Sequence, residues 1–210
     1  RNAEDALGAA GLVARSGWLA SPTSGGQSWL AHGTLASGLR TADQTTYGAM
    51  LASPRRTLWH LAADAGYRTA AVMPAITMDW PEGEMLGFGT ILAAADLGYR
   101  GQPFNWVTMP DQYTLAAFPE RLGVSDAPLF AQVALVSSHA PWVPVPELIA
   151  WDEVGDGEVF DRWATSGDSP EVVWRDRDRV RDQYRMAVDY ALRTVMDWAA
   201  RQGRDGPLIV

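Results

Sequence analysis

The sequence has no cysteine and only three histidines in 210 residues, and all of its 17 basic residues are arginine. Without cysteine there are no disulfides, no thiolate-ligated zinc and no thiol nucleophile, and the redox compartment is left open. Without lysine there is no phosphate-binding loop ending in G-K-[ST]. The 25 acidic residues outnumber the arginines and are spread along the chain, for a net charge of −8, so nucleic acid has no electrostatic footprint. No apolar run approaches the roughly 18 to 20 residues that span a bilayer, and no signal peptide opens the chain. G-x-G-x-x-G and H-E-x-x-H are both missing, Gly87 to Gly89 (GFG) being too short to count, and no compact metal cluster appears. The G-x-S-x-G elbow of α/β-hydrolases fails too, because Leu30 stands where its second glycine belongs.

What is present is ordinary for a globular protein, with 47% hydrophobic and 20% charged residues. The length suits a single domain over residues 1–210 with a sizeable core. Arg1 in place of a starting Met, and the apolar Pro207 to Val210 at the other end, read as cuts in a longer protein.

Helix, glycine and strand recur in the order that marks an α/β protein with a mostly parallel sheet flanked by helices. Ala3 to Ala10 is expected to be helical, with Gly11 as its stop. Leu12 to Leu19 (LVARSGWL) is expected to be a strand entering a Gly-rich turn. Short helices are expected at 45–52 and, behind Ser53-Pro54, at 56–65; Tyr67 to Met73 then reads as a buried strand. Asp111 to Leu122 reads as a helix behind Pro110, and Leu129 to Ser137 as an apolar strand. Between these units, Pro74 to Pro110 has little period and carries Trp80, Tyr99 and Trp106; such an insertion is either functional or surface decoration. The prolines of Ser137 to Pro146 prefer an extended path. Arg175 to Gln202 is the longest helix, with Val180, Tyr184, Ala187, Ala191, Val195 and Trp198 spaced as one buried face. Its charged start offers self-pairing such as Asp178 with Arg181, a solvated face rather than a binding patch. Pro207 to Val210 reads as the start of another strand.

The chemistry centres on Ser21 to Leu39, SPTSGGQSWLAHGTLASGL, a loop that opens a helix with Ser28 at or next to its start. A hydroxyl there lies in the field of free backbone N–H groups and the positive end of the helix dipole, which suits a nucleophile that meets a phosphate or sulfate. The plainer alternative is a serine serving as N-cap, with the glycines making the turn. His139 follows a buried strand between Ser138 and Pro141-Trp142, as a substrate-binding imidazole at a sheet mouth or a histidine satisfied within its turn. His32, four residues after Ser28, shares its helix face and either contacts the nucleophile or its anion, or supports them from the surface. His60 lies inside an ordinary helix as a structural residue. No side-chain base stands next to Ser28 in sequence, and a serine hydroxyl needs a base or a metal to activate it.

The segment around Ser28 resembles the nucleophile region of sulfatase-like proteins of the alkaline phosphatase superfamily. The nearest branch is the membrane-anchored one of lipoteichoic acid synthase and phosphoethanolamine transferases, where SP-x-x-GG-x-[ST] carries a hydroxyl that both attacks the ester and ligates the metal. Ser28 holds that position. ALVSSHAPW resembles the family's S-S-H-x-P-[FW], so His139 inherits a substrate contact; GYRTAAVMPAITMDWPEG resembles the segment with a substrate-side Trp, matched by Trp80. Tyr184, Ala187 and Tyr190 are similar to a Y-x-x-A-x-x-Y helix. The resemblance implies an alkaline phosphatase-like core, incomplete at both ends. Its function would be that of a metal-dependent hydrolase or transferase acting on phosphate or sulfate esters, with Ser28 catalytic and His139, Trp80 and His32 on the substrate. It also implies a divalent metal (Mn, Mg or Zn), a lipid- or glycan-linked substrate, and an extracytoplasmic domain held to the cell membrane by segments outside this chain.

Two departures qualify that expectation. The family's acidic metal ligand and its Asp-His pair have no counterparts in the 210 residues, so the chain by itself is expected to be inactive. The C-x-P-x-R of formylglycine sulfatases is missing as well. The alternative expectation is a non-catalytic sulfatase-like domain that binds a glycan or an anionic lipid head group.

Overall fold

The computed structural model describes residues 3–24, 26–203 and 206–210. In chain order the elements are α1 (Ala3–Ala9), α2 (Ser28–Ser37), α3 (Gln44–Ala52), α4 (Leu58–Asp64), β1 (Arg68–Met73), α5 (Pro81–Met85) and β2 (Thr90–Ala93). They continue with α6 (Ala94–Leu97), α7 (Asp111–Leu122), β3 (Leu129–Val133), α8 (Asp161–Ala164), α9 (Pro170–Val173) and α10 (Arg177–Gln202). The strands form one parallel sheet in the order β2-β1-β3, with Ala70 opposite Thr90 on one side and Ala131 on the other. The expected α/β architecture, of the alkaline phosphatase-like sulfatase kind, is the one observed.

The central strand shows why helices cover both faces. Successive side chains of β1 point to opposite sides, so Ala71 joins a cluster with Leu30, Tyr47, Met50 and Trp59 from α2, α3 and α4. Val72 joins the larger cluster with Leu92, Leu97, Phe104, Tyr113 and Phe118, against which Val195 and Trp198 of α10 pack. A parallel strand covered on both faces is buried at successive positions rather than alternate ones, as Thr69 to Val72 are at the centre of β1.

α2 is fastened tightly to its neighbours. Gly33 faces Tyr47 of α3, and a Cβ built on it would lie 2.9 Å from two carbons of that ring. Thr41 Oγ1 donates to the Leu30 carbonyl at 2.5 Å, and Trp29 Nε1 donates to Gln44 Oε1 at 3.0 Å. Gly33→Ala is therefore expected to lower stability by about 1–3 kcal/mol through overpacking, read as a drop of several degrees in thermal melting.

Several expectations change. Among the described residues Leu12 to Leu19 pairs with no strand, and Val13, Trp18 and Leu19 stand in solvent; apolar residues without a neighbouring ladder do not make a strand. Pro207 to Val210 is likewise unpaired among the described residues, with Leu208 and Val210 exposed. β2 forms inside the stretch read as irregular, because its four residues between Gly89 and a helix are too short to show a period. α4 starts at Leu58 rather than Arg56, on a capping box in which Thr57 Oγ1 accepts from the His60 N–H while His60 Nδ1 accepts from the Thr57 N–H. His60 thus closes a helix end. On α10 the buried residues are Ala187, Tyr190, Thr194 and Ala199, while Tyr184 is exposed, so the face is rotated from the expected one. The self-paired surface is present, with Asp178–Arg181 and Asp182–Arg185 each at 3.4 Å.

Candidate functional site

In an open parallel sheet, ligands bind beyond the carboxyl ends of the strands, where the strand order reverses. With β2 and β3 on opposite sides of β1, that point lies between the loops after Met73 and after Val133. The first loop is held by Thr108 Oγ1, which donates to the Pro74 carbonyl at 2.6 Å. The second carries His139. α2 reaches the same edge: His32 Nδ1 lies 2.6 Å from the Gln132 side-chain amide of β3, and that amide also approaches Met73 Sδ at 4.0 Å.

Ser28 is the first residue of α2, and Gln27 occupies the N-cap position with no side-chain capping bond. The hydroxyl is exposed and, among the described residues, makes no hydrogen bond. The N-cap alternative therefore fails on geometry: the hydroxyl is not committed to its own helix.

His32 is half-buried, and burial pushes its imidazole below the ordinary histidine value of 6.5. With the Gln132 amide as donor, Nδ1 accepts and the neutral ring keeps its proton on Nε2. A depressed histidine contributes stability above its ordinary value and loses it as pH falls through the lowered one. An NMR titration is expected to find His32 titrating below 6.5, and Gln132→Leu to change its midpoint.

The His139 loop is rooted in a buried carboxylate. Asp111 opens α7 fully buried, and its Oδ1 accepts from the Val136 and Ser137 N–H groups at 2.7 and 2.8 Å. The Asp111 N–H in turn donates to Ser137 Oγ at 2.8 Å. Burial raises this carboxyl above the ordinary range even though Ser137 and Val136 hydrogen-bond to it. Among the described residues, Oδ2 and the buried Thr114 hydroxyl find no hydrogen-bond partner. From this root the chain turns tightly: His139 N–H donates to the Val136 carbonyl at 2.9 Å and Trp142 N–H to the His139 carbonyl at 3.2 Å. His139 Nδ1 lies 2.6 Å from the Ala140 carbonyl oxygen, which leaves Nε2 as its outward nitrogen.

Trp80 takes part in none of these bonds. It is half-buried, 6.0 Å from the Phe88 ring and against Gly83, at the margin of the cluster under α2 to α4. Among the described residues no hydrogen bond or ring contact joins Ser28, His139 and Trp80 to one another. Nor does any group of three or more His, Asp or Glu side chains stand close enough to hold a metal. Asp111 and Gln132 were missed in the sequence. Pro110-Asp111 marks a helix start and says nothing of a contact 25 residues away, and a glutamine inside an apolar strand is a weak signal.

Among the described residues no helix is long and apolar enough to cross a membrane. No curated protein matches the chain, and no solved structure does. The sulfatase family model matches residues 10–210, a span holding α2, the whole sheet and the His139 loop. By that match, the chain belongs to the sulfatase family.

Proposed function

We propose that this chain supplies the nucleophile and the substrate contacts for cleaving a sulfate or phosphate ester. The observation that carries the reading is the placement of Ser28 at the open N-terminus of α2, inside the span matched by the sulfatase family. The family's divalent metal, Mn, Mg or Zn, finds no fitting ligand set among the described residues, and the Ser28 hydroxyl bonds no carboxylate or imidazole. The steps assigned to this chain are accordingly those of its own side chains.

The ester's anionic oxygens lie against the N-terminal N–H groups of α2, where the helix dipole favours negative charge. Ser28 Oγ attacks the sulfur or phosphorus, the bond to the alcohol breaks, and the hydroxyl proton passes to solvent at this exposed position. His32, neutral with a proton on Nε2, donates to the bound anion. His139 presents its outward Nε2 to the ester's oxygens, and the departing alcohol takes its proton from solvent. Water or an acceptor alcohol then releases the group from Ser28. Trp80 lines the loop after β1 as an apolar wall. A lipid- or glycan-linked ester, and membrane attachment through segments outside this chain, extend the same reading.

The lack of a base beside Ser28 among the described residues favours a second reading, anion or glycan binding without turnover. Turnover of 4-nitrophenyl sulfate and bis(4-nitrophenyl) phosphate by this chain joined to the metal-ligating segments proposed to lie outside it, with Mn2+, Mg2+ or Zn2+ supplied, separates the two. Hydrolysis that His139→Gln slows through a raised KM is the expected result. Saturable binding of sulfate ion, with neither ester consumed under any of the metals, would replace catalysis by binding.

A further inference from the structure

Three segments meet at His139 in a way the ester chemistry does not use. Residues 104–107 form a tight turn closed by the Phe104 and Val107 backbone pair, and Asn105 at its tip has a left-handed φ of 57°. Asn105 Nδ2 donates to the Val143 carbonyl at 2.5 Å, tying this turn to the His139 loop. The turn holds Trp106 in solvent, 78% exposed. Trp142 has a left-handed φ of 62°, a conformation that a bulky residue keeps only where its surroundings hold it. Its ring is stacked on Trp174 at 5.6 Å and 18°, and meets Tyr184 edge-on at 5.3 Å. A groove of about 460 Å³ opens between these segments, lined by Trp106, His139, Ala140, Pro141 and Trp174.

The polar edges of the rings are already occupied. Trp174 Nε1 donates to the Pro141 carbonyl at 3.2 Å and Trp142 Nε1 to the Ser138 carbonyl at 2.9 Å. His139 Nδ1 is held by Ala140. The groove therefore presents indole faces and one imidazole nitrogen, not a set of donors. No carboxylate lines it, so an ammonium group finds no counter-charge, and no arginine lines it, so a second anion finds none either. The ligand this favours is uncharged, with an apolar face to lie on an indole and hydroxyls around its rim. The rim hydroxyls stay hydrated at the open side, and one of them donates to His139 Nε2 when the ring is neutral.

We propose that this groove is a pyranose subsite, with Trp106 and Trp174 stacking on the C–H faces of a sugar ring and His139 at its edge. The volume suits a small-molecule site, and rings fixed before the ligand arrives reduce the ordering cost of binding. Its place beside the scissile ester rests on His139 being a substrate contact, as proposed above; the stacking itself does not.

The test is a titration of the 210-residue protein with neutral, unsulfated trisaccharides of glucose, galactose and N-acetylglucosamine, followed by tryptophan fluorescence and saturation-transfer NMR. Phenol and octanol serve as aromatic and acyl probes. Saturable binding of at least one trisaccharide is expected. Trp106→Ala should weaken it about tenfold, the loss of one stacking face, and Trp106→Phe should keep it within about threefold. Trp106 is exposed, so the alanine variant folds; Trp174→Phe, which removes the indole N–H while keeping a face, should also retain binding. No saturable trisaccharide binding, binding indifferent to Trp106→Ala, or binding of phenol or octanol alone would overturn the subsite. Ester turnover without saccharide binding would sink the subsite and leave the ester reading standing. Saccharide binding without ester turnover would do the reverse.

Discussion

Ser28→Ala is expected to reduce ester turnover by about 10³-fold or more, with KM changed little, because it removes the atom that forms the new bond rather than one that holds the substrate. The side chain is exposed and, among the described residues, bonds nothing, so melting should stay near that of the parent. Ser28→Thr keeps the hydroxyl at the start of α2 and should retain measurable activity. Steady-state kinetics on the chromogenic sulfate and phosphodiester, beside a melting curve, checks all three statements. A KM effect alone would make Ser28 a binding group.

The second large effect is on stability and falls at Asp111. Asp111→Ala leaves the buried Val136 and Ser137 N–H groups without an acceptor, at a cost of about 2–4 kcal/mol. For a chain of this length that is a fall of roughly 5–15 °C in melting temperature. The same loss frees the root of the His139 loop, so His139-dependent binding should weaken with it. Asp111→Asn keeps an acceptor oxygen and should lose much less.

The pH dependence separates these variants further. Burial raises the Asp111 carboxyl, with Ser137 and the Tyr190 phenol of α10 as the groups that interact with it. A carboxyl raised in the folded state holds its proton where the unfolded chain, titrating near 3.8, has released it. Its contribution is therefore fullest below that value and declines as pH rises through the raised one. As pH rises above that unfolded value of 3.8, urea denaturation should find the gap between the parent and Asp111→Asn moving in favour of asparagine.

The fold was legible where local signals and tertiary needs agreed. Asp111 to Leu122, behind proline and ahead of glycine, is a helix with those bounds, and Arg68 to Met73 is the buried central strand. Strands are where the reading erred. Leu12 to Leu19 and Pro207 to Val210 have strand composition, but a strand exists only by pairing, which composition does not encode. β2 was hidden for the opposite reason: its ladder with β1 supplies what four residues cannot signal alone.

The site divides in the same way. Ser28 could be placed at a helix start because caps and turns are local. The Gln132 partner of His32, 100 positions away, and the Asp111 anchor of the His139 loop depend on which strands become neighbours. Trp106 and Trp174 read as two aromatics among ten tryptophans. Only the Asn105–Val143 bond and the stack on Trp142 give them a common groove.

The most direct test of the central claim is chemical. With arginine as the only basic side chain besides histidine, trypsin releases residues 16–40 as one peptide that contains Ser28. Acid quenching during turnover of a slow sulfate or phosphate ester, followed by fragment mass spectrometry, should find one added sulfuryl or phosphoryl group on Ser28. The same digest of Ser28→Ala should carry none. Consumption of the ester with Ser28 unmodified, or with the group on another residue, would contradict the account.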